Sequence, residues 1–151
     1  MNSIRKMSAK NSLIADSGFW IALFNQRDPY HQRAVAALDQ FLDRLLVITW
    51  PVVVETGHLL LQHAGFQAQL AFVQTLQQGG ADIFHLDDST HLPRMIQLMQ
   101  KYRDLPMDIA DASLVILAEE LGHGRILSTD QRDFNAYRWK NQYPFENLLI
   151  P

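Results

Sequence analysis

"LLVITWPVVVE", Leu45 to Glu55, decides the fold. Its β-branched run reads either as one long strand or as a strand that hands over to a helix. Pro51 favours the second reading. Proline lacks the N–H that a central strand needs, yet it fits the first position of a helix. The strand then ends near Trp50, and a helix starts at Pro51. Glu55 falls just over one turn into that helix, and "ETGHLLLQHAG" carries it to Gly65.

The same strand-then-helix order recurs on both sides. "SLIAD" (Ser12–Asp16) reads as a buried strand ending in an acid, with "SGFWIALFN" as a short helix behind it. "RDPYHQRAVAALDQFLDRL" reads as a helix with Asp28 as N-cap and Pro29 at the first helical position. Val35, Leu38, Phe41 and Leu42 form its apolar stripe. "FQAQLAFVQTLQQGG" is a further helix, stopped by Gly79 and Gly80. "ADIFHL" is a strand, "DDSTHLPRMIQLMQKYRD" a helix with an acidic, cap-rich start, and "MDIADASLVILAEELG" a helix closed by Gly122. "GRILSTD" is a strand that again ends in an acid, and "FENLLI" reads as a last strand. This alternation predicts an α/β fold, a three-layer α/β/α sandwich with a mostly parallel central sheet.

Length and composition narrow the class. A chain of 151 residues with 48% hydrophobic content suggests one core and one domain, over 12–151. The basic, polar stretch 1–11, "MNSIRKMSAKN", is expected to be a loose tail, with Met7 an alternative start. No signal-peptide core follows it, and no apolar run reaches the length of a membrane span. The absence of cysteine excludes a disulfide scaffold and a thiolate zinc site, and points to a reducing, cytoplasmic setting. A net charge of −3 weighs against a simple nucleic-acid binder, unless some of the 16 acids are filled by cations.

Four acids are placed where that could happen. In open α/β sheets, ligands bind beyond the carboxyl ends of the strands, at a switch point. Asp16 and Asp130 end predicted strands, while Glu55 and Asp111 sit in the first turns of helices leaving the same edge. Taken singly, Asp16, Asp130 and Asp133 read as caps or turn acids, and Asp108 as a first-turn acid that complements the helix dipole. Asp111, beside Ala110 and Ala112, and Glu55, after three valines, resist that reading. Clustered carboxylates raise one another's pKa values unless a cation sits among them. Mg²⁺ or Mn²⁺ would relieve that cost and support in-line displacement at phosphorus. The chemistry expected is metal-dependent phosphodiester hydrolysis of a nucleic acid.

"LIADSGFWIALFN", "PVVVETGHLL", "DLPMDIADASLVILAEELG" and "RILSTDQRDF" occur in the order and spacing of PIN-domain proteins. The set most resembles the VapC-type toxin ribonucleases of type II toxin–antitoxin pairs. That resemblance implies that Asp16, Glu55, Asp111 and Asp130 bind the catalytic Mg²⁺ or Mn²⁺ and position water. It also implies that Ser17 and Ser128 support the acids, with Asp108 and Asp133 accessory. It further implies an RNA substrate, a cognate antitoxin protein and a homodimer.

Two other classes compete. A phosphoaspartyl phosphatase needs a second aspartate two residues after the first, where Gly18 stands. A receiver domain needs a lysine beyond a late strand, and none of Lys6, Lys10, Lys101 and Lys140 closely follows "RILSTD". A non-catalytic PIN-like module that binds RNA or protein ranks below the nuclease because all four acids are present. The six histidines read as structural or surface residues, and the stripe Phe19, Trp20, Leu23, Phe24 as core or partner surface. "AYRWK" (Ala136–Lys140) could stack on single-stranded RNA, but is more simply a loop that packs its tryptophan inward.

Overall fold

β1 (Leu13–Ala15) and β2 (Leu46–Thr49) are buried at every position. Side chains alternate between the two faces of a strand, so unbroken burial means that both faces are covered. The computed structural model describes residues 9–151. Five strands form one all-parallel sheet in the order β3-β2-β1-β4-β7, with β3 at Asp82–Phe84, β4 at Arg125–Leu127 and β7 at Glu146–Asn147. β1 pairs with β2 on one side and β4 on the other, which makes the end of β1 the switch point.

The handover at Pro51 occurs one residue earlier than expected. α3 (Trp50–Ala64) has Thr49 as N-cap, its hydroxyl accepting from Val52 N, with Pro51 in the first turn. α1 (Ser17–Phe24) leaves β1 directly. Its Trp20 and Phe24 meet Phe72 of α4 (Phe66–Gln77) at 5.7 and 5.9 Å between ring centroids, so the aromatic stripe is core. α5 (Asp88–Lys101) packs on α6 (Ile109–Leu121). In α6, Ala112 to Ala118 are all buried. Gly122, at φ 76°, closes α6 in the left-handed conformation that glycine adopts without strain.

Three local expectations change. α2 (His31–Gln40) starts after Pro29, because Asp28 Oδ1 accepts from Tyr30 N in the preceding turn instead of capping the helix. Its buried face is Ala34 and Ala37, while Val35 and Leu42 are 46% and 79% exposed. Small residues let α2 approach α1 closely, so the larger side chains are turned out. The stretch expected as a loop at 136–140 instead enters β5 (Arg138–Trp139), which forms an antiparallel hairpin with β6 (Tyr143–Pro144). Trp139 does pack inward, against Gly124, where an added Cβ would stand 2.6 Å from its Nε1.

The expectation for the tail 1–11, including Met7, falls largely outside the described residues. Of its last residues, Ala9 O accepts from Ser12 Oγ, Lys10 O from Arg125 and Asn11 O from Arg44.

Candidate metal and active site

A cleft of about 410 Å³ opens at the carboxyl edge of the sheet, beside the switch point. Its lining includes Asp16, Glu55, Asp108, Asp111, Asp130 and Asp133, together with Ser17, Gly18 and Thr129. All six acids singled out in the sequence therefore face one cleft. Ser128 lies directly behind them, fully buried.

Each acid is placed by its own stretch of chain. Asp16 ends β1 and caps α1; its Oδ1 accepts from Ser17 N at 2.7 Å and its Oδ2 from Ser128 Oγ at 2.9 Å. The Ser128 hydroxyl also accepts from Asp130 N at 2.9 Å, so one buried oxygen ties the ends of β1 and β4 together. Asp130 caps α7 (Gln131–Ala136) by accepting from Asp133 N at 3.1 Å. Asp108 caps α6, its Oδ1 accepting from Asp111 N at 2.8 Å. Asp111 itself is no cap. Its Oδ2 accepts from Tyr137 Oη at 2.8 Å. Glu55 is the sixth residue of α3 and also caps nothing. A buried hydroxyl pair, Thr49 Oγ1 and Ser113 Oγ at 2.7 Å, ties the start of α3 to the start of α6.

Crowding and burial perturb these carboxyls. Burial pushes Asp16 up to about 6 against the Ser128 and Ser17 hydrogen bonds, with Glu55 and Asp130 adding to the rise. Burial pushes Asp111 up to about 8, helped by the charges of Asp108 and Asp16 and opposed by Tyr137. Glu55 is raised, first by burial and then by Asp108, against a hydrogen bond from Ser17. Asp133 is raised by burial and by its neighbour Asp130. Without a cation, burial and mutual repulsion thus favour the protonated forms of these carboxyls.

The donor set is oxygen throughout, which suits Mg²⁺ or Mn²⁺. Among the described residues, no three acids or histidines already stand as a closed cage. Magnesium does not require one, since it keeps several waters and takes one or two carboxylates directly.

Sequence reasoning missed Tyr137, which is fully buried yet places its hydroxyl on Asp111. It also missed Thr129, Thr49 and Ser113. The closeness of Thr129 is written in Gly18, where a Cβ would fall 2.0 Å from Thr129 Oγ1. No local signal marks Tyr137 or the hydroxyl pair. The histidines stay out of the cleft's lining: His31 bonds Ala22 O, His91 lies between Asp87 N and Glu120, and His123 is buried against Ser12.

Comparison with known proteins bears on this arrangement. The PIN domain family model matches residues 13–140. Ribonuclease VapC26 of Mycobacterium tuberculosis (strain ATCC 25618 / H37Rv) is 29% identical over 126 residues, covering 83% of this chain and 92% of its own. Among solved structures, Mycobacterium tuberculosis VapC20, a Sarcin-Ricin loop cleaving toxin, superposes with a TM-score of 0.70. It is 19% identical, and the match covers 80% of this chain and 92% of that one, a likeness of fold.

Proposed function

The chain belongs to the PIN-domain family, and on that premise we propose that it is a divalent-metal-dependent endoribonuclease that hydrolyses RNA phosphodiester bonds. The observation that carries the reading is the meeting of Asp16, Glu55, Asp111 and Asp130 in one cleft, two of them raised well above the carboxylate range. Burying acids without counter-charge is unfavourable, so a site that keeps them is built for a cation.

In this proposal Asp16, Glu55, Asp111 and Asp130 hold Mg²⁺ or Mn²⁺, with Asp108 and Asp133 in support. The bound ion supplies charge neutralisation at phosphorus and an activated water. Ser17 and Ser128 fix both oxygens of Asp16 by hydrogen bonds, so this carboxylate presents a constant geometry. Tyr137 occupies Oδ2 of Asp111. Oδ1 has no protein partner among the described residues and is the oxygen left to face the ion.

The likeness to VapC proteins supports a narrower reading, the toxin of a toxin–antitoxin pair. That reading includes a cognate antitoxin protein, a homodimer and action in the cytoplasm. The test is RNA cleavage by purified protein with Mg²⁺ or Mn²⁺, then with EDTA, alongside Asp16→Asn and Asp111→Asn variants shown to be folded. Metal-dependent cleavage lost in both variants is the expected result. No cleavage of diverse RNAs, and no stabilisation of the wild type by metal, would sink the enzyme and favour a non-catalytic binding module.

A further inference from the structure

Two segments begin at the acidic cleft and run away from it side by side. Residues 101–106 connect Lys101 and Arg103 to Leu105 and Pro106, which line the cleft. Residues 137–140 connect Tyr137, bonded to Asp111, to Arg138 and Lys140. The segments are tied together: Arg138 N donates to Tyr102 Oη at 3.0 Å, Lys101 Nζ donates to Asn141 Oδ1 at 3.4 Å, and the rings of Tyr102 and Tyr137 meet edge to face at 5.1 Å.

The strip carries an excess of positive charge, although the Arg138 guanidinium donates to the carbonyls of Asn135 and Tyr137. Among the described residues, the ion pairs are Arg94–Glu119 and His91–Glu120. These take up the two acids at the end of α6, and Glu119 also accepts from Lys140 N. Lys101, Arg103, Arg138 and Lys140 are left without a carboxylate partner, and Asp104 is the one acid in segment 101–106. The hairpin tip adds an aromatic surface. Tyr143 lies 4.6 Å from Trp139 and is 42% exposed, and Lys140 stands over the Trp139 ring. The tip is fixed in place, because Lys140 and Asn141 hold φ of 52° and 56°, and Glu119, Arg94 and Lys101 pin the turn.

From these observations we propose that the strip formed by Lys101, Arg103, Arg138 and Lys140, ending on Tyr143, is a track for the flank of a single-stranded RNA whose scissile bond lies in the acidic cleft. This rests on the ribonuclease reading and extends it. An acidic cleft repels phosphates, so an RNA needs cations beyond its rim; Lys101, Arg103, Arg138 and Lys140 are joined to that rim by covalent chain, with Arg132 on the rim itself between Asp130 and Asp133. Asp111 to Glu119 spans eight residues of α6, about 12 Å at 1.5 Å per residue, which sets how far the track reaches. Unpaired cations alternating with an exposed ring form the pattern of sequence-tolerant single-strand binding.

The test is the double variant Lys101→Gln/Lys140→Asn. Asparagine is chosen because it tolerates the left-handed conformation at the turn. Cleavage kinetics are compared on a cleaved RNA and on the same RNA trimmed to its shortest cleavable length. RNA binding by fluorescence anisotropy is measured across salt concentrations. KM for the long RNA is expected to rise about tenfold, and the slope of log K against log salt to fall by about 1.4, two contacts at about 0.7 each. Kinetics on the trimmed RNA and metal binding stay at wild-type values. Tyr143→Ala is expected to weaken the long RNA about fivefold, with an unchanged salt slope. Wild-type KM and slope in the double variant, with the wild type active, overturn the track. So does a variant that keeps both and loses only a protein partner. A wild type that neither cleaves nor binds RNA sinks the ribonuclease reading, and the track with it.

Discussion

Tyr137→Phe isolates one oxygen. The phenylalanine keeps the ring in its edge contacts with Tyr102 and Phe134, at 5.1 and 5.3 Å. What it removes is the 2.8 Å hydrogen bond to Asp111 Oδ2. A hydrogen bond to a charged acceptor contributes about 1.5–3 kcal/mol, or about one to two pKa units at 1.36 kcal/mol each. Asp111 already stands at about 8, so near neutral pH its protonated form is favoured. Any bound cation must displace that proton. The variant therefore raises the proton's hold and weakens apparent Mn²⁺ affinity at pH 7 by about 10- to 100-fold, the usual range for removing a ligand's hydrogen-bond partner. The assay is isothermal titration of Mn²⁺ at pH 7 and again above pH 9, where proton competition fades and the gap narrows. Thermal stability without metal should fall by about 1 kcal/mol or less, because water in the cleft can replace the lost donor. An unchanged Kd at pH 7 in a folded variant would refute the view that Tyr137 acts through Asp111.

Two further outcomes follow from the same cleft. Asp111 and Asp16 have folded pKa values, about 8 and about 6, above the usual carboxylate value, so the native state binds more protons than the unfolded chain in between. Their contribution to the stability of the EDTA-treated protein should then be fully present below about pH 4 and fall as pH rises toward 8, while His123, lowered by burial from 6.5 to about 4, adds an opposite rise between those two values. Melting curves should show Asp111→Asn flattening that fall and Mn²⁺ reversing it in the wild type; a wild-type profile as flat as the variant's would contradict the assignment. Ser128→Ala removes the donor to Asp16 Oδ2 and the acceptor of Asp130 N in a fully buried setting. It should lower stability in urea by about 1–3 kcal/mol, and a loss below half a kilocalorie would show that the serine does not tie the two strand ends.

The sheet was legible because its signals are local. A short apolar run that stops at a polar residue is a buried parallel strand whether it reads "LIAD" or "RILSTD", and Pro51 marks where β2 gives way to α3. Placing acids at the carboxyl ends of such strands puts them on one edge without knowledge of any distance. The hairpin was hidden because its turn lacks the expected residues. Positive φ at two successive positions normally calls for Asn-Gly or Asp-Gly, and here Lys140 and Asn141 adopt it. Glu119, Arg94 and Lys101 hold that turn from elsewhere in the chain, so the information is tertiary. Tyr137 was hidden for the same reason: its partner Asp111 lies 26 residues away. The exposure of Val35 and Leu42 reverses the usual hydrophobic reading because close helix packing there favours Ala34 and Ala37.

Asp108 and Asp111 stand three residues apart at the head of α6 and play different parts there. Asp108 is explained by folding alone, since it caps the helix and satisfies Asp111 N. Asp111 is not. It caps nothing, it is raised by burial, and the charge of Asp108 raises it further. Asparagine there could still accept the Tyr137 hydrogen bond, and would remove the repulsion from Asp108 and Asp16. A chain selected only for stability would gain by that exchange at neutral pH. The helix can carry the strained acid because Ala112 to Ala118 bury it in the core, so the local penalty is outweighed without loss of the fold. An ionisable oxygen at this position fits the cation site proposed for the cleft. The pH profile of Asp111→Asn tests whether the acid costs the fold stability: a variant less stable than the wild type at pH 8 without metal would mean that Asp111 serves the fold.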